Sequence, residues 1–329
     1  MRKGVVLDGY TANPGDLSWK PFEEFCEITV YDRTPDAEIV SRIGDAEIVF
    51  TNKTPLTRMT LASLPNLKYL GAMSTGYNVI DVEAAKEMGV TVTFVPEYAT
   101  YATAQMTIAH LLELSNQVGR HNRIVHEGGW ERSVDFCFTS GPLTELLQKT
   151  LGLVGYGKIA GRVAAIAQAL GMEVLATSRS IENRLASGEL PSGHKDDIGV
   201  KYVSFDELLR RSDVISFHCP LTPETQGLAN RETISRMKNG AFLINTSRGP
   251  VLNENDVAEA LRTGKLAGVA VDVLSTEPPS ADNPLLTAPG CIITPHIAWA
   301  PKETRQRLLD TVYENLQAFL TGNPKNVVS

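Results

Sequence analysis

The sequence has few cysteines, no long apolar run and no excess of basic residues. Its cysteines (Cys26, Cys137, Cys219 and Cys291) form no CxxC pair, which argues against a disulfide framework or a zinc site. No run of about 18 apolar residues occurs, so we expect no membrane contact, and the N-terminal apolar run stops at Asp8, too early for a signal peptide. A formal net charge of -7 disfavours a nucleic-acid partner. We therefore expect a cytoplasmic globular protein without a metal.

Short apolar runs alternate with segments of helical periodicity along almost the whole chain. This alternation is typical of an α/β fold with parallel sheets, and 329 residues suggest about two domains. We predict two doubly wound domains, with strands at Gly4–Asp8, Glu27–Tyr31, Ala46–Thr51, Lys68–Ala72 and Val90–Phe94, and then at Leu151–Gly155, Glu173–Thr177, Lys201–Val203, Asp213–Phe217, Ala241–Asn245, Gly268–Asp272 and Cys291–Thr294.

Two long segments have the spacing of helices. One is Thr103–Gly119, and the other is Lys302–Leu320, which is followed by Gly322 and Pro324. The segment between Gly128 and Gln148 shows neither period, and we expect it to be irregular.

A glycine-rich turn follows the first strand of the second series. Gly155, Gly157 and Ala160 match the pattern G-x-G-x-x-G/A, in which small residues permit a tight turn, a close approach of pyrophosphate and close helix packing. The alternative is a purely structural turn. Because an apolar strand precedes it and a helical segment follows it, we predict a dinucleotide site.

The next strand ends at Ser178 and Arg179, where an acidic residue usually binds the ribose 2′-hydroxyl of NAD. Without an acid, the repulsion of a 2′-phosphate is absent, and Arg179 could pair with that phosphate. Alternatively, Arg179 is a solvated side chain and NAD is bound. The sequence leaves the choice between NAD and NADP open.

Polar residues follow three of the later strands. Arg248 comes after a buried strand, where its guanidinium suits a carboxylate, although it could instead be a capping or ion-paired arginine. His296 also directly follows a buried strand and is the candidate acid/base. His218 is its rival, which we place beside the cofactor instead, and His110 is interpreted as packing.

Other candidates depend on neighbours that sequence alone does not identify. Glu277 beside His296 would orient the ring and favour its protonated form, or it is a surface residue. Asp272 could bind the nicotinamide amide or cap a turn. In the first half, Ser74, Thr75 and Gly76 follow a strand, and their amides could receive a carboxylate. Asn52 and Lys53 lie in another strand-end loop, where Lys53 adds positive charge to the substrate site or is solvated.

Taken together, these residues resemble the D-isomer-specific 2-hydroxyacid dehydrogenase family along nearly the whole chain. The order INTSRG, DVLSTEP and PHIA is specific to that family. The opening VVLDGYTANPGDLSW is most similar to its glycerate dehydrogenase (hydroxypyruvate reductase) branch. The resemblance implies a flavodoxin-like substrate domain, residues 1–100 plus 299–329, and a Rossmann dinucleotide-binding domain, residues 101–298, with a catalytic cleft between them.

The resemblance also implies roles for individual residues. Arg248 would bind the substrate, His296 would be the acid/base and Glu277 its partner. Asn52, Lys53, Thr75 and Gly76 would complete the substrate site. The cofactor would be held by Gly155, Gly157, Lys158, Ile159, Ser178, Arg179, Cys219, Pro220, Thr225, Thr246, Ser247, Asp272, His296 and Ala298.

The expected reaction transfers a hydride between NAD(P)H and a small 2-oxo acid, with hydroxypyruvate converted to D-glycerate and glyoxylate as a second substrate. The resemblance implies a homodimer joined through the cofactor-binding domain. The alternatives are a D-lactate-type or other 2-ketoacid reductase and, from another class, a non-catalytic NAD(H)-sensing interaction protein on the same fold.

Overall fold

The computed structural model describes residues 1–329 and separates them into two compact units. The first unit contains Met1–Ala99 and Trp299–Ser329, and the second contains Thr100–Ala298. Each unit has its own sheet with helices, so the expected α/β class is confirmed.

The first unit is built on a parallel sheet in the order β2-β1-β3-β4-β5. The runs Ile48–Thr51 and Tyr69–Ala72 are buried throughout, as expected for strands covered on both faces. Its strands are β1 Arg2–Val6, β2 Cys26–Val30, β3 Ile48–Thr51, β4 Tyr69–Ala72 and β5 Thr91–Thr93; its helices are α1 Gly9–Ala12, α2 Ile39–Ile43, α3 Arg58–Ala62, α4 Val82–Glu87 and the C-terminal helix Lys302–Leu320, with 3-10 turns at Lys20–Glu24 and Asp36–Glu38.

The second unit is built on a larger sheet in the order β13-β12-β11-β10-β6-β7-β9-β8. All neighbours are parallel except β8 and β9, an antiparallel pair at one edge. Its strands are β6 Thr150–Val154, β7 Glu173–Thr177, β8 His194–Lys195, β9 Lys201–Tyr202, β10 Val214–Phe217, β11 Ala241–Asn245, β12 Leu266–Val271 and β13 Cys291–Ile293; its helices are α5 Thr100–Asn116, α6 Val118–His126, α7 Lys158–Ala169, α8 Arg179–Ala186, α9 Phe205–Arg211, α10 Arg231–Arg236 and α11 Glu254–Arg262, with 3-10 turns at Gly249–Val251 and Pro284–Thr287.

The strand order identifies the crevice where a ligand fits. From β6, the chain passes to β7 on one side of the sheet and later to β10 on the other. Loops that follow two such strands diverge, and the gap between them lies at the carboxyl ends of the strands. In this unit the gap lies between the loops that begin at Gly155 and His218.

The structure differs from the sequence prediction mainly at one helix and one hairpin. The helix predicted over Thr103–Gly119 instead covers Thr100–Asn116, because Gln117 has a left-handed backbone with φ of 50°. A second helix, Val118–His126, follows it. The two-residue strand His194–Lys195 is too short to leave a pattern in the sequence.

The other predictions of strands and helices agree with the structure. Each predicted strand is present within two residues of its expected ends, and the helix Lys302–Leu320 has the predicted bounds. The segment between Gly128 and Gln148 contains no helix or strand. No helix has both the length and the apolar character needed to cross a membrane.

Candidate active site

Three polar side chains lie at one edge of the second sheet. Arg248 follows β11, Glu277 follows β12 and His296 follows β13. Because β11, β12 and β13 are consecutive parallel neighbours, their carboxyl ends meet at the same edge. The fold therefore brings together loops that are separated by tens of residues in the chain.

His296 and Glu277 form a direct pair. The Nδ1 atom of His296 lies 2.6 Å from Oε2 of Glu277. Oε1 of the same carboxylate accepts a hydrogen bond from the Leu274 amide at 2.9 Å. The two side chains are about one-third exposed. This contact orients the ring and leaves Nε2 available to a ligand.

The Arg248 loop is ordered by Asn245 and packs on the Glu277 loop. The Asn245 side chain donates to the Arg248 carbonyl at 2.9 Å and accepts from the Ser247 amide at 3.0 Å. A Cβ atom on Gly249 would lie 2.0 Å from the Leu274 carbonyl group, so the two loops are in backbone contact. The exposed Arg248 side chain is therefore carried next to the loop that bears Glu277.

Glu254, at the start of α11, fixes the far side of the Glu277 loop. One carboxylate oxygen accepts from the Ser275 amide at 2.8 Å, and the other accepts from the Asn283 side chain at 2.9 Å. These bonds cross the loop on both sides of Glu277, so its carboxylate is presented from an anchored segment.

The glycine turn after β6 is tight and leads directly into α7. Gly155 has φ of 89°, and a Cβ atom there would lie 2.5 Å from the Cys219 amide nitrogen. A Cβ atom on Gly157 would meet nothing within 4 Å, so open space faces this position. Gly157 precedes α7 and has no side chain to cap it. The turn thus offers a helix N-terminus to an anion at the topological switch, which fits a pyrophosphate.

The flanking cofactor candidates have specific partners within the unit. Ser178 caps α8 by accepting from the Ile181 amide at 3.3 Å. Arg179 does not point freely into solvent, because its Nη2 atom lies 2.9 Å from Oε2 of Glu224. Ile159 packs against the apolar core while Ala160 is fully buried. The small third residue of the turn therefore allows α7 to pack closely.

The loop after β10 is closed by a threonine hydroxyl. Thr225 Oγ1 donates to the Pro220 carbonyl at 2.6 Å and accepts from the Thr222 amide at 2.7 Å. Cys219, the second residue of this loop, is 7% exposed, and burial raises the pKa of its thiol to about 11. Cys219 is therefore a neutral wall residue next to Gly155.

The other strand-end histidine has a different environment. His218 Nε2 contacts the Ser216 hydroxyl at 2.9 Å, and burial lowers its pKa to about 4. An imidazole that is neutral near pH 7 is a poor proton donor, which favours His296 as the acid. His110 is buried on α5 and contacts Thr294.

The substrate candidates of the first unit lie on two adjacent strand-end loops. Asn52 and Lys53 follow β3, and Thr75 and Gly76 follow β4, its parallel neighbour. Thr75 Oγ1 donates to the Val95 carbonyl at 2.7 Å.

The loop that carries Lys53 is organised by Asp8, which follows β1. The Asp8 carboxylate accepts from the amides of Asn52, Lys53 and Thr54 at 2.8, 2.6 and 2.8 Å. A carboxylate with three amide donors holds a sharp backbone turn.

Sequence reasoning missed Asp8, Glu254 and Glu224. Asp8 had a usable signal, because it follows a buried strand as Arg248 does. In the sequence, Glu254 looks like an ordinary acidic residue in the first turn of a helix, and Glu224 looks like an ordinary loop residue. Only the structure shows the partners that give these two residues a place near the site.

Comparison with known proteins identifies the family of this chain. Residues 108–298, more than half of the chain, match the family model described as D-isomer specific 2-hydroxyacid dehydrogenase, NAD binding domain. A hydroxypyruvate reductase from Blautia hydrogenotrophica is 51% identical, covering 99% of each chain. A glycerate dehydrogenase from Methylorubrum extorquens is 37% identical, covering 90% of this chain and 89% of its own.

A solved D-lactate dehydrogenase from Aquifex aeolicus, complexed with NAD and lactic acid, has a TM-score of 0.77 and 29% identity, covering 97% of this chain and 96% of its own. The match to the family model and the identity to the Blautia protein are similarities of sequence and not only of fold. The chain therefore belongs to the D-isomer specific 2-hydroxyacid dehydrogenase family.

Proposed function

We propose that this protein reduces hydroxypyruvate to D-glycerate with a nicotinamide coenzyme, and that glyoxylate is a second substrate. The observation that carries the proposal is the 2.6 Å contact between His296 and Glu277 at the sheet edge that also bears Arg248. The similarity to the Blautia and Methylorubrum enzymes supports the choice of substrate.

Each of the three side chains has a distinct role in this proposal. Arg248 binds the carboxylate of the 2-oxo acid and polarises its carbonyl group. His296 donates the proton to the carbonyl oxygen through Nε2, because Nδ1 faces Glu277. Glu277 keeps the ring oriented through its contact with Nδ1. The loops of Asn52–Lys53 and Thr75–Gly76 supply a lysine and backbone amides for the substrate carboxylate.

The coenzyme belongs at the turn of Gly155 and Gly157, with the amides of Lys158 and Ile159 facing its pyrophosphate. When bound, the nicotinamide supplies the reducing equivalent of the reaction. Cys219, Pro220 and Thr225 flank the adenosine half, and Thr246, Ser247, Asp272 and Ala298 approach the nicotinamide half.

The proposal includes both NAD and NADP as coenzymes, because the side chains near the expected 2′-position carry opposite charges. Arg179 offers a cation for a 2′-phosphate, but Glu224 lies 2.9 Å from it and opposes that phosphate. The outcome depends on whether the phosphate displaces Glu224 from the guanidinium.

We also propose a homodimer formed through the cofactor-binding unit. Large apolar side chains are exposed along α6 and the irregular segment after it, including Val118 at 62%, Trp130 at 53%, Val134 at 101% and Phe136 at 89%. Exposed apolar surface of this kind is typical of a protein interface. The cytoplasm is the proposed location, because all four cysteines are free thiols.

The test is a steady-state panel of hydroxypyruvate, glyoxylate, pyruvate and 2-oxoglutarate with NADH and NADPH, followed by absorbance. We expect hydroxypyruvate to give the highest kcat/KM. A preference for pyruvate would favour a D-lactate-type reductase, and no turnover with any substrate, although coenzyme binds, would favour a sensing protein.

A variant pair tests the role of Arg248. Arg248→Ala removes a charge-assisted contact to the reacting group, and we expect kcat/KM to fall about 10³-fold. Arg231→Ala, a surface arginine whose side chain is 82% exposed, is the matched control and keeps the wild-type rate. A fall of less than about tenfold in Arg248→Ala would remove this residue from its role.

A further inference from the structure

The loop that carries His296 is attached to Asp272 through three successive amides. The His296 amide donates to the Asp272 carbonyl at 2.8 Å. The amides of Ile297 and Ala298 donate to the two carboxylate oxygens of Asp272 at 2.9 and 2.8 Å. His296 itself has φ of 54°, a left-handed conformation that is uncommon for residues other than glycine. The three hydrogen bonds to Asp272, which is 1% exposed, hold the backbone at this turn.

A buried chain of hydrogen bonds continues behind Asp272. The Thr294 hydroxyl lies 2.5 Å from Oδ1 of Asp272 and 3.1 Å from Nε2 of His110. A carboxylate only accepts, so the hydroxyl proton of Thr294 points to Asp272. The Thr294 oxygen must then accept from His110, which places the proton of His110 on Nε2.

The other ring nitrogen of His110 agrees with this assignment. Nδ1 is buried and has no hydrogen-bond partner, and His110 is 3% exposed. A bare lone pair is less costly there than an unpaired N–H donor, which would be left without an acceptor. Burial also lowers the pKa of His110, so the ring is neutral near pH 7 and carries its single proton on Nε2.

The same helix face touches the loop that leads to Arg248. Thr107, three positions before His110 on α5, donates to the Thr103 carbonyl at 2.9 Å. Its oxygen lies 2.9 Å from the hydroxyl of Thr246, which must therefore be the donor. Positions three apart lie on one face of a helix. One face of α5 thus supports both strand ends from which Arg248 and His296 project.

We propose that His110 is a positioning residue for the acid/base: its Nε2–H fixes the Thr294 hydroxyl on Asp272, and Asp272 in turn holds the backbone of His296 against Glu277. This role rests on the proposed catalytic function of His296. It gives a task to a histidine that the sequence presents as packing on a helix.

The kinetic test compares substitutions that remove the hydrogen bond between His110 and Thr294 with one that keeps an N–H donor at position 110. His110→Leu and Thr294→Val each break the chain, and we expect kcat to fall about 10- to 100-fold, the size of effect caused by misplacing a reacting group, with KM little changed. The pH profile of reduction should also differ from that of the wild-type enzyme, because the His296–Glu277 contact loosens. His110→Gln, whose amide N–H can reach Thr294, should restore most of the loss.

A double substitution separates positioning from a general loss of packing. If His110 acts through Thr294, the variant His110→Leu/Thr294→Val should be no slower than the worse single variant. Ser115→Ala, which removes a buried hydroxyl bond to Leu112 at 3.2 Å on the same helix, is the matched control and should keep the wild-type pH profile. Multiplicative losses, or a pH profile in His110→Leu equal to that of Ser115→Ala, would overturn the proposal.

The tautomer provides a readout that does not depend on turnover. In the wild-type protein, ¹⁵N NMR of the imidazole nitrogens, assigned with the His110→Gln variant, should show His110 as the neutral Nε2–H form at pH 7, and Thr294→Val should perturb that signal. The Nδ1–H form, or a charged ring, would overturn the inference even in an active enzyme. Conversely, the expected tautomer in a protein that reduces no 2-oxo acid would contradict the proposed function and leave the hydrogen-bond chain intact.

Discussion

At the scale of single residues, the carboxylate of Glu277 determines the orientation of the proposed proton donor. It lies 2.6 Å from Nδ1 of His296. In Glu277→Gln the charged partner of this contact is lost, so the ring is held less firmly in the position that presents Nε2 to the substrate. We expect kcat/KM for reduction to fall about 10- to 100-fold.

This expectation is checked by steady-state kinetics of hydroxypyruvate reduction. Glu259→Gln, a surface substitution near Arg262 on α11, is the control and should keep the wild-type kcat/KM. A Glu277→Gln enzyme with the wild-type kcat/KM would show that the carboxylate does not act on the proton donor.

The pair of Arg179 and Glu224 sets coenzyme preference at the same scale. Both side chains are about two-thirds exposed, so the pair itself contributes little to stability. Glu224→Gln removes the charge that opposes a 2′-phosphate and frees the guanidinium. We expect kcat/KM with NADPH to rise roughly two- to fivefold relative to NADH, the range of a surface charge interaction.

Arg179→Ala should change the same ratio in the opposite direction, because the cation for the phosphate is lost. Both variants are assayed with saturating hydroxypyruvate while the coenzyme is varied. If neither variant changes the ratio of NADPH to NADH, the 2′-phosphate does not approach this pair.

At the scale of elements, the contact of Gly249 with the Glu277 loop sets the spacing of the site. A Cβ atom there would lie 2.0 Å from the backbone carbonyl of Leu274, so one of the loops must move. We expect Gly249→Ala to lower kcat/KM about 10²-fold through misplacement of Arg248 and Glu277. Gly161→Ala, on α7 with no atom within 4 Å of the new methyl group, is the steric control. Equal activity of the two variants would contradict the argument.

An ion pair joins two elements of the first unit and makes its stability depend on acid. The Arg305 guanidinium, on the C-terminal helix, donates two hydrogen bonds of 2.7 Å to Asp16 and lowers the pKa of that carboxyl below its usual 3.8. When the pKa of a carboxyl is lower in the folded protein than in the unfolded chain, its ionised form stabilises the fold at any pH above the pKa of the unfolded chain. This stabilisation is lost as the pH falls through the pKa of the folded protein.

We therefore expect Asp16→Asn to lower the midpoint temperature of unfolding at pH 7. Below about pH 4, this temperature should fall less steeply with decreasing pH in the variant than in the wild-type protein. Calorimetry across that range measures both effects. Asp310→Asn, on the exposed face of the same helix, is the control and should keep the acid decline. An unchanged decline in Asp16→Asn would show that other carboxyls dominate it.

At the scale of the whole molecule, the exposed apolar segment after α5 predicts the oligomeric state. Phe136 and Val134 are almost fully exposed in a single chain. We expect sedimentation to give the mass of two chains, and Val134→Lys/Phe136→Lys to shift it towards one chain, because charges are costly in a buried interface. Met59→Lys, in the first unit and 83% exposed, is the control. A wild-type monomer would rule out the dimer.

The sequence was most informative where local patterns carry the signal. Buried parallel strands are short apolar runs between turns, and polar residues directly after them lie at the functional edge of the sheet. For this reason Arg248 and His296 could be named as candidates from the chain alone, as could the glycine turn at Gly155. The predicted end of α5 was wrong because Gln117 adopts a left-handed backbone conformation, which a glutamine in the sequence does not indicate.

By itself, the sequence determined the α/β class, the strands, the glycine-rich turn and the residue types at the strand ends, because each follows from neighbours a few positions apart. Only the tertiary structure decided which of these residues meet. Glu277 reaches His296 across 19 positions, Glu224 reaches Arg179 across 45 and His110 reaches Thr294 across 184. Hydrogen bonds over such separations have no period in the chain, because their partners are chosen by the order of strands in the sheet and the packing of helices against it.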